Sequence, residues 1–398
     1  MTCRDTSAKV TVIGSMSEVD PVAWDAVANP PGAAYDPFVA HAFLAALEAS
    51  GSIAPRTGWL PQHLLLEDAG GTIAAAMPCY LKGHSMGEFV FDQGWADAYD
   101  RAGLDYYPKL LSAVPVTPVP GRRFLTGAKG DAAGLQETLT AAATELARRH
   151  NASSLHITFL EPQQFDRTGS SGLLGRYGHQ YHWTNQGYGS FDDFLATLAS
   201  RKRKNLKRER RDALANGITI EWLTGAEIAE AHWDAFFEFY MDTGGRKWGS
   251  PYLNRKFFTL LGAAQAKDCL LVMAKREGRY IAGALNMIGG EALFGRYWGC
   301  LEQHPFLHFE VCYYQAIDFA IARKLKRVEA GAGGEHKLVR GYEPMRTYSA
   351  HWIADPRLRK AIADFLVRER QHVERQSEAM ADMTPFRKGP QPSLASED

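Results

Sequence analysis

The sequence predicts a mixed α/β (α+β) fold assembled from two halves with the same order of elements, and three observations carry this. A strand–turn–strand pattern occurs twice, at 63–81 (HLLLEDAGGTIAAAMPCYL) and 269–287 (CLLVMAKREGRYIAGALNM). An apolar stripe at helical spacing occurs twice downstream, and each stripe is followed by a short strand-like run. An antiparallel hairpin joined to a crossover helix points to a sheet with helices on its faces.

Each element has a local reason. Both hairpins bracket a polar, glycine-containing turn, and both second strands open on Ile-Ala, Ile73-Ala74 and Ile281-Ala282. In the first half Leu135, Leu139, Ala142, Ala143, Leu146 and Ala147 fall on one helix face, and Phe309, Tyr313, Ala316, Ile317, Ala320 and Ile321 repeat that spacing. Strands are expected at Ser154–Leu160, 327–330 and 347–353. Between the halves the pattern predicts one long helix over 190–216, with Ser190 as N-cap and Asn216-Gly217 as the stop. The domains are then 8–188 and 189–380, with a disordered tail at 381–398 rich in Pro, Ser and charge.

Composition narrows the function classes. The chain of 398 residues has 45 basic and 45 acidic side chains, which excludes a uniformly basic nucleic-acid coat but leaves room for local patches. Five cysteines without a CxxC argue against a disulfide scaffold or zinc ribbon and for a cytoplasmic location. No secretory h-region and no long apolar run is read, so no membrane span is expected. The composition is silent on oligomeric state.

Two segments concentrate chemistry. The run 201–211, RKRKNLKRERR, holds eight basic residues and one glutamate. It is either a solvated helix face or a phosphate-binding strip through Arg201, Lys202, Arg203, Lys204, Lys207 and Arg208. The run 329–353 sets Glu335, His336, Lys337 and Arg340 behind closely spaced glycines, in the order strand, polar loop, strand. Glu335 or His336 is suited to act as a base, Lys337 and Arg340 to hold phosphate or a developing oxyanion. The bland alternative is a surface ion pair with a histidine at a strand end. Nearby, Arg296 and Trp298 alternate along a strand and so share a face, while His308 and Glu310 open a helix. His304 and His308 do not make a zinc pair, because Pro305 interrupts the helix between them, and no metal is expected. Cys300 and Cys312 read as small buried hydrophobes.

Five strings resemble the FemAB-like family of the GNAT superfamily, described as peptidoglycan biosynthesis/recognition proteins. They are YYPKLLSAVPVTPVPGRRFL (106–125), SRKRKNLKRERRDALANGITI (200–220), RKWGSPYLNRKFF (246–258), GRYWGCLEQHPFLHFEVCYYQAIDFAI (295–321) and GEHKLVRGYEPMRTYSAHWI (334–353). The resemblance implies tandem GNAT-like domains, each with a mixed, mainly antiparallel sheet flanked by helices, and acyl transfer onto an amine. It places Lys109 near the interdomain cleft, although the residues alone would make it a solvated helix lysine. Arg122, Lys247 and Tyr348 join Arg296, Trp298, His308 and Glu310 as candidate substrate contacts. The GNAT phosphate loop, R/Q-x-x-G-x-G/A, does not precede either crossover helix. That departure favours aminoacyl-tRNA, the donor of the Fem relatives, with a peptidoglycan-precursor amine as acceptor. The alternatives are an acyl-CoA or acyl-carrier-protein donor with a small-molecule acceptor, and a non-catalytic module that binds anionic precursors.

Overall fold

The computed structural model describes residues 9–387 except 129, 249, 250, 332 and 382, and without the side chains of 246–248. Its strands are β1 (Lys9–Ile13), β2 (Trp59–Pro61), β3 (His63–Glu67), β4 (Ile73–Met77), β5 (Tyr80–Lys82), β6 (Lys109–Ser112), β7 (Leu125–Thr126), β8 (Ser154–Leu160) and β9 (Leu174–Thr184). They continue with β10 (Thr219–Thr224), β11 (Cys269–Arg276), β12 (Arg279–Ile288), β13 (Ala292–Cys300), β14 (Arg327–Glu329) and β15 (Glu343–Ile353). A four-stranded sheet has the order β1-β3-β4-β7, and an eleven-stranded sheet the order β10-β11-β12-β13-β14-β9-β15-β8-β6-β5-β2.

The large sheet is pseudo-symmetric about its β9–β15 ladder. Outward on one side lie β14, β13, β12 and β11, and on the other β8, β6, β5 and β2. On each side one pair is parallel, β13 with β14 and β6 with β8, and a helix makes that crossover. The helix Ala132–Arg149 starts at Asp131, whose side chain accepts from Ala133 N, and buries Leu139, Ala143, Leu146 and Ala147. Its counterpart runs Leu307–Phe309, then a π-helical turn Glu310–Tyr314, then Gln315–Ala322. The expected repeat of hairpin, crossover helix and following strand is therefore present. The first hairpin is longer than expected, because β2–β5 extends β3–β4 past Pro61 and Pro78.

The halves are joined by strand exchange. β9 pairs with β14, while β15 lies between β9 and β8. The segment after β6 also crosses over, Val116 O accepting from Arg296 Nη2 at 2.8 Å and from Tyr297 Oη at 3.2 Å. Within the first half Pro118 O anchors it to β9 by accepting from Gln180 Nε2 at 2.7 Å.

Three expectations are corrected here. The helix over 190–216 is two helices, Phe191–Thr197 and Ser200–Ala213, because Leu198 turns to extended backbone and bridges Phe386. The same contact orders part of the segment expected to be tail: Pro385 O accepts from Ala199 N, and Arg387 N donates to Thr197 O. Residues 388–398 of that expected tail lie outside the described residues. Lys109, a candidate phosphate or substrate contact that the residues alone would place on a solvated helix, is instead fully buried on the strand β6. It bonds Glu88 Oε2 at 2.8 Å, Ser85 Oγ at 2.8 Å and Asp92 Oδ2. Lys82 lies beside it over the Trp59 ring, 3.3 Å from the centroid. Burial lowers the Lys82 ammonium to about 7 and raises the Glu88 carboxyl to about 7.

Such a network is worth less than its contacts suggest, yet removing one partner strands the others. Lys109→Met leaves two buried carboxyls without their shared cation and is expected to cost about 3–5 kcal/mol. Urea unfolding checks this, and a midpoint equal to wild type would contradict it.

Candidate active site

Because β9 stands between β14 and β15, the chain leaving β14 must cross β9 before it can re-enter the sheet. That crossing is the glycine-rich segment singled out by the sequence. Ala330 N still bonds Tyr181 O of β9. Gly331, Gly333 and Gly334 then take positive φ, and the polar run folds as a 3-10 helix, Glu335–Arg340, where an irregular loop was expected.

His336 Nε2 lies 3.0 Å from Tyr313 Oη on the crossover helix, with the rings of Phe309 and His308 beside it. Partial burial, then the cations of Lys337 and Arg340, hold the imidazole below its usual range, so it is neutral at pH 7. The adjacent Lys337 is buried, and its Nζ donates to Gly333 O at 2.6 Å and Gly331 O at 3.2 Å. Burial brings this ammonium down to about 8. Glu335 is exposed, with its charge toward His179 and Tyr181 of β9.

Arg340 ties the segment to the basic helix. Its guanidinium donates to His336 O at 2.7 Å, Glu209 Oε2 at 2.8 Å and Tyr314 Oη at 3.1 Å, and lies 3.4 Å from the Phe309 ring centroid. Tyr314 also bonds Glu209. Beside this, Arg210 grips the fully buried Glu310 with two bonds, 2.9 and 3.1 Å, and Asp318 with a third at 2.6 Å. Burial raises the Glu310 carboxyl despite Arg210. The helix Ser200–Ala213 is thus docked by Glu209 and Arg210, and it leaves Arg201, Lys204, Lys207 and Arg208 exposed, with Lys202 and Arg203 half-buried. Lys207 pairs with Asp192 at 2.8 Å.

A cavity of about 420 Å³ adjoins the cluster, lined by Thr243, Trp298, Glu302, His304, Leu307 and His308. Trp298 packs on His308 at 5.2 Å. His304 instead pairs with Glu302 at 2.9 Å, and Pro305 precedes the helix start, so the two histidines do not share a helix. Cys300 is buried and Cys312 half-buried.

The other sequence candidates are dispersed. Arg296 and Trp298 do not share a face: the register slips between Leu285 and Asn286, leaving Arg296 as the extra residue of a β-bulge. Arg296 therefore turns to Val116 and the Phe38 ring, away from His308. Arg122 holds the carbonyls of Ala28 and Ala34. Tyr348 packs between Phe165 and Tyr177 on the first-half side of the sheet. Lys109 belongs to the buried ion network, and the Lys247 side chain lies outside the described residues. Sequence reasoning missed Tyr313, Tyr314 and Glu209 as members of the cluster. The available signal for Glu209 was its position as the one acid in a run of eight bases.

A family model described as FemAB-like, peptidoglycan biosynthesis/recognition, matches residues 15–388, and the chain belongs to this family. Among solved structures it is similar to FemX, with 14% identity, a TM-score of 0.53, and 89% of this chain and 100% of that chain covered. It is also similar to the C-terminal domain (DUF2156) of a putative lysylphosphatidylglycerol synthetase from Agrobacterium fabrum, with 9% identity, a TM-score of 0.55, and coverage of 89% and 97%. A conserved protein of unknown function from Bacteroides thetaiotaomicron VPI-5482 follows at 10% identity and a TM-score of 0.50, covering 87% and 100%. At these identities the similarities concern the fold alone, a mixed α/β architecture of the class expected from the sequence. No curated protein matches the chain.

If His336 is a general base, His336→Ala should lower kcat by about 10²–10⁴-fold without moving the melting temperature. The pH profile of kcat separates it from Lys337. With His336 as base, the acid limb falls below pH 6.5, since the shift is downward from that value. A single rise centred near pH 8 would instead assign the base to Lys337, whose ammonium lies at about 8.

Proposed function

We propose that this FemAB-like chain is an N-acyltransferase, taking an aminoacyl group from aminoacyl-tRNA and placing it on the amine of a peptidoglycan precursor. The observation that carries this reading is the coupling of the polar turn to the basic helix, through Glu209 to Arg340 and Arg210 to Glu310. A phosphate backbone held along the exposed lysines and arginines would deliver its acylated end toward His336. The sequence also lacks the glycine-rich phosphate cradle that a CoA donor would use.

The chemistry follows from the neutral imidazole. In the tautomer whose Nε2–H donates to Tyr313 Oη, Nδ1 is bare and accepts the proton of the attacking amine. The amine nitrogen bonds to the acyl carbon, and the carbonyl electron pair moves to oxygen. The adduct then collapses, breaking the ester C–O bond. The leaving 3′-hydroxyl takes up the proton that His336 removed, so no redox partner or metal is consumed. Lys337, within the turn and with its ammonium at about 8, keeps most of its charge at pH 7 and suits the developing negative charge. In this reading residues 8–188 and 189–380 form the two GNAT-like units, and the reaction takes place in the cytoplasm.

Filter binding of alanyl-tRNA across a salt series tests the donor. Reversing the charge of Arg201, Lys204 and Arg208 together should weaken binding and reduce the slope of log K against log[salt] by about 2–3. Unchanged binding would reject the helix as the tRNA surface. Thiol release from acetyl-CoA with lysine methyl ester, and no transfer from alanyl-tRNA, would select the acyl-CoA alternative.

A further inference from the structure

Asn286 lies on β12 with its side chain fully buried, and neither Nδ2 nor Oδ1 has a hydrogen-bond partner among the described residues. An amide desolvated in this way is unfavourable for folding unless something else meets it. Its neighbours on the same face of the strand, Ala284 and Ile288, are apolar.

Its position explains what could meet it. Asn286 sits opposite Gly295, at the register slip of β12 and β13. β13 and β14 pair only from Ala292 with Arg327 to Phe294 with Glu329, so Gly295 is the first residue beyond the paired stretch. A Cβ at Gly295 would stand 3.4 Å from Glu329 O and 3.6 Å from Asn286 Oδ1. Gly295, without a side chain, thus stands beside the amide where the strands part. Next to it, a Cβ at Gly331 would come within 4.0 Å of Gly295 O, and Gly331 O is the carbonyl held by Lys337 Nζ at 3.2 Å. The amide therefore lies two glycines away from the polar turn.

We propose that Asn286 is a substrate-binding residue of the acyl-transfer site, its Nδ2 donating to the carbonyl oxygen of the acyl group as that oxygen gains negative charge. A donor already desolvated and fixed in a strand needs no reorganisation when charge develops, which is where such a group contributes most. The same amide offers Oδ1 to an N–H of the tetrahedral adduct, and an adduct formed from an amine presents both partners. This inference rests on the acyl-transfer reading but not on which donor supplies the acyl group.

The test uses the full chain with alanyl-tRNA or acetyl-CoA as donor and lysine methyl ester as amine probe. Asn286→Leu and Asn286→Asp should each lower kcat by about 10²–10³-fold, since both remove the N–H donor. In the free protein, Asn286→Leu removes an unmet polar group, and its melting temperature should stay level or rise by roughly 2–4 °C. A wild-type kcat in either variant overturns the proposal. A fall in melting temperature for Asn286→Leu also overturns it, because the amide would then be serving the fold. If the wild type transfers from neither donor, the acyl-transfer reading fails. The melting temperature of Asn286→Leu then decides whether the amide faces a ligand, a rise supporting that role and a fall rejecting it.

Discussion

The exchange of strands at the β9–β15 ladder is the constraint on which the rest of this structure depends. β15 pairs with β9 from Glu343 opposite His182 to His351 opposite Leu174, and its other edge pairs with β8. A strand from late in the chain thereby lies beside strands from its first half, and the eleven-stranded sheet becomes one continuous body. The cost of this topology is a connection that must climb over β9, out of the sheet's own hydrogen bonding. Glycines at positive φ make the sharp turns, and polar side chains satisfy the backbone that the sheet no longer can. Lys337, bonded to two of those carbonyls, is one such side chain. The same residues that solve the crossing are the ones suited to chemistry.

A second layer of order comes from charge. Arg340 and Arg210 each join a strand connection or the crossover helix to the basic helix, and each uses several bonds around a planar guanidinium. The pairs are largely shielded from water, so the helix Ser200–Ala213 is held in one orientation while its remaining cations stay outward. The π-helical turn Glu310–Tyr314 belongs to this arrangement, because it sets Glu310 toward Arg210 and Tyr313 toward His336 within a few residues.

Much of the architecture was legible in the sequence where periodicity is strong. Both hairpins, both crossover helices and the strand Ser154–Leu160 follow directly from apolar spacing. The polar turn was visible as a concentration of ionisable groups after a strand. What could not be read depended on partners far along the chain. The break at Leu198 arises from pairing with Phe386, and the burial of Lys109 depends on carboxylates in a loop without periodic pattern. The alternation that put Arg296 with Trp298 failed at a single extra residue, since one bulge reverses the faces beyond it. Asn286 was readable in principle, as the one amide in the apolar strand IAGALNMI.

In the proposed reaction an acyl group is transferred at the turn Gly334–Arg340. Affinity labelling tests it most directly: the protein is incubated with N-bromoacetyl-alanyl-tRNA, digested, and the alkylated peptides are identified by mass spectrometry. Adducts are expected on His336 or Lys337 and should be suppressed by excess alanyl-tRNA. Adducts confined to the first half of the chain, or insensitive to that competitor, would contradict it.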